Sequence, residues 1–248
     1  MWSTALYSGA LAVLAGGVAL ARPMRWLLLP TRKRAALCAI AGVVLIIVVW
    51  RSVPSETRVP PITGIDEFMP RFHFRERHEA MVAASPERVF AAIKSVSAGE
   101  IALFQTFIWI RRFGRSGPES ILNAPEHQPI LDVATRTTFL TLLDRSPREL
   151  VVGTIVVAPP RFRRSDTPTP EAFRTLSQPG FAKATMNFRV EPQGSTSSRV
   201  VTETRVLATS DDGLRRFTPY WRAIFPGSAI LRITWLRAIK ARAERDAR

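Results

Sequence analysis

The 248-residue chain is poor in the residues that most often carry chemistry, with one cysteine, three histidines and not one acid among its first fifty residues. Its single cysteine, Cys38, lies inside an apolar run, which excludes a disulfide framework and the paired spacing of a zinc site. His73 and His78 are five apart, so on one strand they point to opposite faces and cannot form a metal pair by themselves. These two and His127 read as surface or edge positions. No serine-centred elbow, phosphate-cradling glycine loop or HExxH is present. No metal, cofactor or catalytic residue is therefore expected. Acids are scarce overall, and the net charge is +15. Arg22, Arg25, Arg32, Lys33 and Arg34 account for five of these charges, leaving +10 for the remainder. Both parts suit an anionic lipid surface, a nucleic acid or another acidic partner.

Charge is absent altogether from Met1 to Ala21. At about 1.5 Å per residue this segment spans roughly 30 Å, the thickness of a bilayer's hydrocarbon core. A second run, "AALCAIAGVVLIIVVW" (35–50), is shorter but ends in Trp50 and Arg51, which suit the membrane interface. The transmembrane helices are expected at about 2–21 and 35–50. The stretch between them holds five cations at about 2.5–3.5 kcal/mol each in mid-bilayer, so it is a loop. The positive-inside rule puts that loop in the cytoplasm and the large C-terminal part outside. A cleaved signal peptide is the competing reading, since "ALA" at 19–21 resembles a cleavage site, although the n-region lacks Lys and Arg.

One domain with attachments fits the length, typical domains having roughly 100 to 200 residues. Residues 52–70 are rich in proline and turn formers and read as a tether, with the folded domain at 71–248. In "RFHFRERHEAMVA" Phe72, Phe74 and Met81 alternate roughly with polar residues, as in a half-buried strand. Ser85 then suits an N-cap, Pro86 the first helical position and Glu87 the positive end of a helix. A second helix is expected over about 98–112; it is apolar nearly all round, which implies burial on more than one face, or contact with a membrane surface beside Arg111, Arg112 and Arg115. "TFLTLLD" and "ELVVGTIVVA" form one hairpin, and "MNFRVE" with "RVVTETRVLAT" forms another. In its second arm Val200, Thr202, Thr204 and Val206 share one face, and Val201, Glu203, Arg205 and Leu207 the other. A helical stretch follows from about Asp211, in which Pro219 and Pro226 are expected to break or kink the helix. Leu231, Trp235, Ala238 and Ile239 form its apolar stripe, and Lys240–Glu244 and Glu244–Arg248 are exposed pairs.

"ASPERVFAAI" after the first strand, "TETRV" in the last strand and "YWRAIFPGSAILRITWLRAIKARAE" at the end together resemble the SRPBCC superfamily, also called START-like or helix-grip. The likeness runs from Arg71 to about Glu244 and leaves out the membrane segments. It implies an α+β fold in which a curved antiparallel sheet wraps a long C-terminal helix around an apolar cavity. Members bind lipids, sterols, polyketides or other hydrophobic molecules, and some are cyclases or dehydratases.

On that resemblance Met186, Phe188, Thr202, Thr204, Leu231 and Trp235 are candidates for the cavity wall, with ordinary core as the plainer role for each. Tyr220, with Trp221 beside Pro219, is a candidate for its mouth or a packing aromatic. Glu203 and Arg205 read as a small ion pair, or as a ligand anchor. The implied function is membrane-anchored binding or transport of a hydrophobic small molecule or lipid, without catalysis. Alternatives are a polyketide cyclase or dehydratase, with Thr202, Thr204 and Tyr220 orienting a reactive ligand, and a module that holds a protein through its basic surface. The sequence names no such protein. Clusters such as Arg161, Arg163 and Arg164 suit anionic headgroups; the absence of a nucleic-acid module speaks against DNA or RNA.

Overall fold

The computed structural model describes residues 2–22, 27–111, 120–160, 162 and 169–245. Arg25, Arg112, Arg115, Arg161, Arg163, Arg164 and Arg248 lie outside the described residues, so the clusters and the Glu244–Arg248 pair named for them have no structural counterpart. The chain forms two compact units, one of residues 1–54 with 218–226, the other of residues 55–217 with 227–248.

In the first unit, helix α1 (Trp2–Ala21) packs against helix α2 (Arg32–Arg51). Both are long and apolar enough to cross a membrane. The second begins three residues earlier than expected: Thr31 accepts from the Arg34 N–H, so Arg32, Lys33 and Arg34 become its first turn. The seam between the helices is built from small residues. A Cβ on Gly16 would lie 2.6 Å from the Ala35 carbonyl oxygen, and one on Gly42 would lie 2.6 Å from that of Gly9. Backbones that close are the packing mode of helices in lipid, where van der Waals contact replaces hydrophobic drive. The outward positions, among them Leu11, Leu14, Leu37, Ile40 and Val48, remain exposed.

The same unit holds residues 218–226 of helix α8 (Asp211–Arg245). Arg222, only 2% exposed, donates to the Val49 carbonyl and, at 2.8 Å, to both the carbonyl and the hydroxyl of Ser52. Its guanidinium therefore caps the negative end of α2. Tyr7 donates to the Ala223 carbonyl at 2.7 Å.

Five antiparallel strands form the second unit's sheet, in the order β3 (Phe74–Val82), β7 (Ser198–Ala208), β6 (Ala182–Pro192), β5 (Glu149–Val157), β4 (Leu140–Arg145). Both hairpins read from the sequence are present. One face, called inner here, packs on helix α4 (Pro86–Ser95), on helix α6 (Ile130–Thr137) and on the C-terminal part of α8. Val89, Phe90, Ile93, Leu150, Val152, Met186, Phe188, Val200, Trp235 and Ile239 make its core. This is the helix-grip arrangement that the resemblance implies.

The segment read as a tether is folded. Strand β1 (Thr57–Arg58) pairs with β2 (Arg71–Phe72), and helix α3 (Gly64–Phe68) lies between them. Asp66 accepts from the Thr63 N–H at 2.6 Å, a capping box that turns "TGID" into a helix start. Ile65 and Met69 are then buried with Phe72, Val151, Ile155, Leu207 and Phe173 of helix α7 (Pro170–Thr175) on the sheet's outer face. Phe72 and Phe74 thus belong to different strands, Phe72 in this outer core and Phe74 edge-on to Phe217, and Met81 points outward.

Glu203 and Arg205 belong to a buried network on that outer face, a stronger arrangement than the small pair expected. Glu203 accepts from Arg75 at 2.8 and 2.9 Å and from Arg205 at 2.6 Å. Arg205 also lies 2.7 Å from Asp66 and donates to the Met69 carbonyl at 2.9 Å. Glu149 accepts from the Gly64 N–H at 2.8 Å and from Asn187 at 2.6 Å. A Cβ on Gly64 would meet that carboxylate at 2.9 Å, so the close approach requires glycine.

Three further readings change. Ser85 occupies the N-cap, but its hydroxyl makes no capping bond to the backbone; it bonds Glu87, whose carboxyl is held low first by its own backbone N–H and then by Ser85. The helix expected over 98–112 is a short 3-10 turn (Ala98–Glu100) followed by helix α5 (Phe104–Arg111). Leu103, at φ 63°, adopts the left-handed conformation and separates them. Phe104 and Ile108 are buried on one stripe while Trp109 is 65% exposed, because only one face meets the core. The outward face leaves the membrane-surface reading of this element open. Finally, α8 runs unbroken through Pro219 and Pro226. Each proline removes only one backbone bond, and the turns on either side are held by buried Leu214 and Phe217 before them and Trp235, Leu236 and Ile239 after.

Burial by itself raises the carboxyls of Asp66 and Glu203, but hydrogen bonds from Thr63 and Arg205, and from Arg75 and Arg205, outweigh it and hold both below the ordinary value. Glu100, bonded to Arg242 at 2.7 and 3.1 Å, is lowered to about 2. A depressed native pKa gives stability that is complete above the unfolded value and lost as pH falls. Stability is thus expected to decline below about pH 4 to 5. Asp66→Asn, which leaves Arg205 partly unpaired in the interior, is expected to cost about 3 kcal/mol at pH 7 and to flatten this acid limb. Denaturation of the detergent-solubilised chain at pH 7 and pH 4 measures both.

Candidate functional site

The register of the sheet builds the inner-face site in two rows. Glu76, Thr204, Met186 and Val152 stand side by side across β3, β7, β6 and β5. Beside them runs the row His78, Thr202, Phe188 and Leu150. Paired residues of an antiparallel sheet share a face, so both rows look toward α8. Ser228 and Arg232, one helical turn apart on α8, stand over the first row: Ser228 donates to Glu76 at 2.8 Å, and Arg232 contacts the Met186 sulfur. Trp235 stands over the second row, with its ring edge-on to Phe188 at 5.0 Å between centroids. The Arg232 guanidinium lies 5.4 Å from the centre of the Trp235 ring.

Four of the wall candidates, Met186, Phe188, Thr202 and Trp235, are buried on this face, and Leu231 packs beside them half-buried. Thr202 donates to the Asn187 carbonyl at 2.8 Å and is thereby satisfied. Thr204 is half-buried, yet its hydroxyl oxygen is inaccessible and has no hydrogen-bond partner; the same is true of the Trp235 Nε1. Tyr220 is 41% exposed and falls in the unit of α1 and α2.

Sequence reasoning missed Glu76, His78, Ser228 and Arg232. His78 is on the edge strand β3, as expected, and is half-buried there, its Nε2 3.1 Å from buried Glu76. The available signal was parity: counting by twos from Phe74 reaches Glu76, His78, Ala80 and Val82, two polar residues on a core face. His73 lies outside β3, where its Nδ1 accepts from the Ala208 N–H at 3.3 Å. Among the described residues no group of three or more His, Cys, Asp or Glu is placed to hold a metal ion.

A cleft of about 410 Å³ opens elsewhere, beside α3 and α7, lined by Met69, Arg71, Arg174, Lys183, Leu207 and Thr209 among others. Lys183 is buried there and donates to the Phe173 and Arg174 carbonyls, both at 2.9 Å. Burial, with Arg71 nearby, lowers its pKa to about 8. These bonds cap the last carbonyls of α7 and hold that helix on the sheet.

No family model and no curated protein matches the chain. Among solved structures it is similar to the protein TTHA0849 of Thermus thermophilus, with 12% identity over 71% of this chain and 100% of that one and a TM-score of 0.29. It is also similar to the ZhuI aromatase/cyclase of Streptomyces sp. R1128, at 13% identity over 71% of this chain and 96% of that one with a TM-score of 0.29. The di-domain aromatase/cyclase BexL from the BE-7585A biosynthetic pathway is 15% identical, over 69% of this chain and 46% of that one, with a TM-score of 0.27. At these scores the likenesses carry no functional argument, and the fold is read from the chain's own topology.

A buried hydroxyl without a partner costs about 1–3 kcal/mol. Thr204→Val keeps the shape and removes that oxygen. It is expected to raise the stability of the ligand-free protein by about 1 kcal/mol, measured by chemical denaturation.

Proposed function

We propose that this chain is a membrane-anchored helix-grip protein that binds or transports a hydrophobic small molecule or lipid between the inner face of its sheet and α8, without catalysis. One observation supports this above others: an apolar wall of Met186, Phe188, Leu231 and Trp235 contains polar atoms, Thr204 Oγ1 and Trp235 Nε1, that the protein itself leaves without partners. Buried polar groups are normally satisfied. Such atoms inside an apolar surface are what a ligand with a small polar part completes.

An enzyme of the cyclase or dehydratase type is the second reading. The buried Glu76, flanked by His78 and Ser228, favours it, since a carboxylate paired with an imidazole can move a proton. The two readings separate by native mass spectrometry of the full chain, released from detergent after expression in a lipid-containing host. An adduct that is recovered unchanged after unfolding is expected. A bare mass under conditions that preserve lipid adducts on other membrane proteins overturns the binding reading, and conversion of an added polyketide-like compound favours the enzyme.

The anchor is the α1–α2 hairpin, and the basic loop between its helices faces the cytoplasm, so the second unit works on the outer side. A reporter active only in the cytoplasm, fused after Arg248, is expected to stay silent; activity there reverses the orientation.

A further inference from the structure

The inner face holds a half-buried cation that is not ion-paired. Arg232 has no carboxylate within 4.0 Å among the described residues; its contacts are the Met186 sulfur and the face of Trp235. Thioether sulfur is a weak acceptor, and an indole ring is no substitute for a counter-ion in a desolvated place. Burial pushes the guanidinium down from its ordinary value, and the nearby negative charge of Glu76 opposes that only in part. Glu76 is meanwhile engaged by Ser228 at 2.8 Å and by His78 at 3.1 Å.

The unpartnered groups share one chemical need. A guanidinium and an indole N–H can only donate, and the Thr204 hydroxyl stands next to Met186, the residue that Arg232 touches. Two groups that can only donate and a hydroxyl that can donate, none of them bonded to a protein oxygen among the described residues, select a ligand oxygen. The cation selects a charged one. A single positive charge with Glu76 close by selects a monoanion over a phosphate dianion, whose second charge would meet that carboxylate. Around these groups lie Met186, Phe188, Leu231 and Val152, which suit a hydrocarbon body.

We propose that the ligand is an amphiphilic carboxylic acid, its carboxylate held by Arg232 with Trp235 Nε1 and Thr204 Oγ1, and its apolar body along the inner face. This rests on the reading of that face as a ligand site. It assigns to Arg232 the role of selecting acid over neutral hydrophobe.

cis-Parinaric acid, a fluorescent eighteen-carbon acid, and its methyl ester serve as probes, added to the full chain in nanodiscs and compared with empty nanodiscs. Saturable energy transfer from tryptophan is expected for the acid, with the ester weaker by about tenfold or more, the loss expected for one charge-assisted hydrogen bond. Arg232→Met is expected to abolish the preference while leaving ester binding within about twofold. Because it also removes a desolvated charge, its melting temperature is expected to equal or exceed that of the unaltered protein, and the acid is expected to raise the melting temperature of the unaltered protein alone. Arg232→Lys retains charge without the planar fork and is expected to keep part of the preference. Equal binding of acid and ester, or an acid preference that survives in Arg232→Met, overturns this proposal and leaves the hydrophobic reading in place. Failure of both probes to bind overturns the proposal together with the ligand site on which it rests.

Discussion

The ion network of buried Glu203, Arg205 and Asp66, with exposed Arg75 at its edge, is the interaction on which the second unit's plan depends. An antiparallel sheet ordinarily leaves one face to water, but here the outer face is covered by α3 and α7. Asp66 brings α3 to the sheet, and the Glu149 carboxylate receives the first N–H groups of that helix. Charges withdrawn from water are costly unless each finds partners, so each member of the network constrains the others. The consequence is a sheet whose two faces are chemically distinct: a connected polar network with apolar flanks outside, and an apolar wall with isolated polar atoms inside.

That double coverage explains what was legible in the sequence and what was not. The order of elements, both hairpins, the turn between Arg145 and Glu149 and the helix start at Pro86 follow from local rules of period and punctuation, and the structure has them. The strand face shared by Met186 and Phe188 and the helix stripe that holds Trp235 follow from the same periods, whereas their role as a cavity wall is what the resemblance implies. The folding of residues 57–70 does not, because α3 is only five residues long and exists through long-range bonds to Glu149 and Arg205. A capping box in "TGID" was there to be seen, but a single turn of helix is marginal without tertiary support.

The polar half of the site was hidden for another reason. Glu76 and His78 look like ordinary surface residues of a strand, each flanked by charged residues, and Ser228 and Arg232 are single polar positions between small or apolar neighbours on a helix. Only the pairings of Glu76 with Thr204 and of His78 with Thr202 place the two strand residues on the face over which Ser228 and Arg232 stand. Register is a property of the pair of strands, and a one-residue slip of β3 would send both Glu76 and His78 to the opposite face. The prolines of α8 show the converse. Local propensity argues for a break, and burial on both sides of Pro219 and Pro226 overrides it.

The inner face is asymmetric in hydrogen bonding, and the asymmetry limits what can fill it. Glu76 already has a donor in Ser228 and has His78 alongside, so the acceptor side of the site is supplied by the protein. The donor side, Arg232, Trp235 Nε1 and Thr204 Oγ1, is not. Water is both donor and acceptor, and a buried water is held by two to four polar partners. It would meet the donors but would stand against Met186 and Phe188 with nothing to bond. A purely apolar occupant has the opposite fault, because it covers the wall and leaves a guanidinium desolvated. An occupant with an acceptor at one end and hydrocarbon at the other satisfies both halves at once. The side-by-side placement of Met186 with Thr204 on the sheet, and of Arg232 with Trp235 on the helix, is therefore the feature on which the proposed site rests.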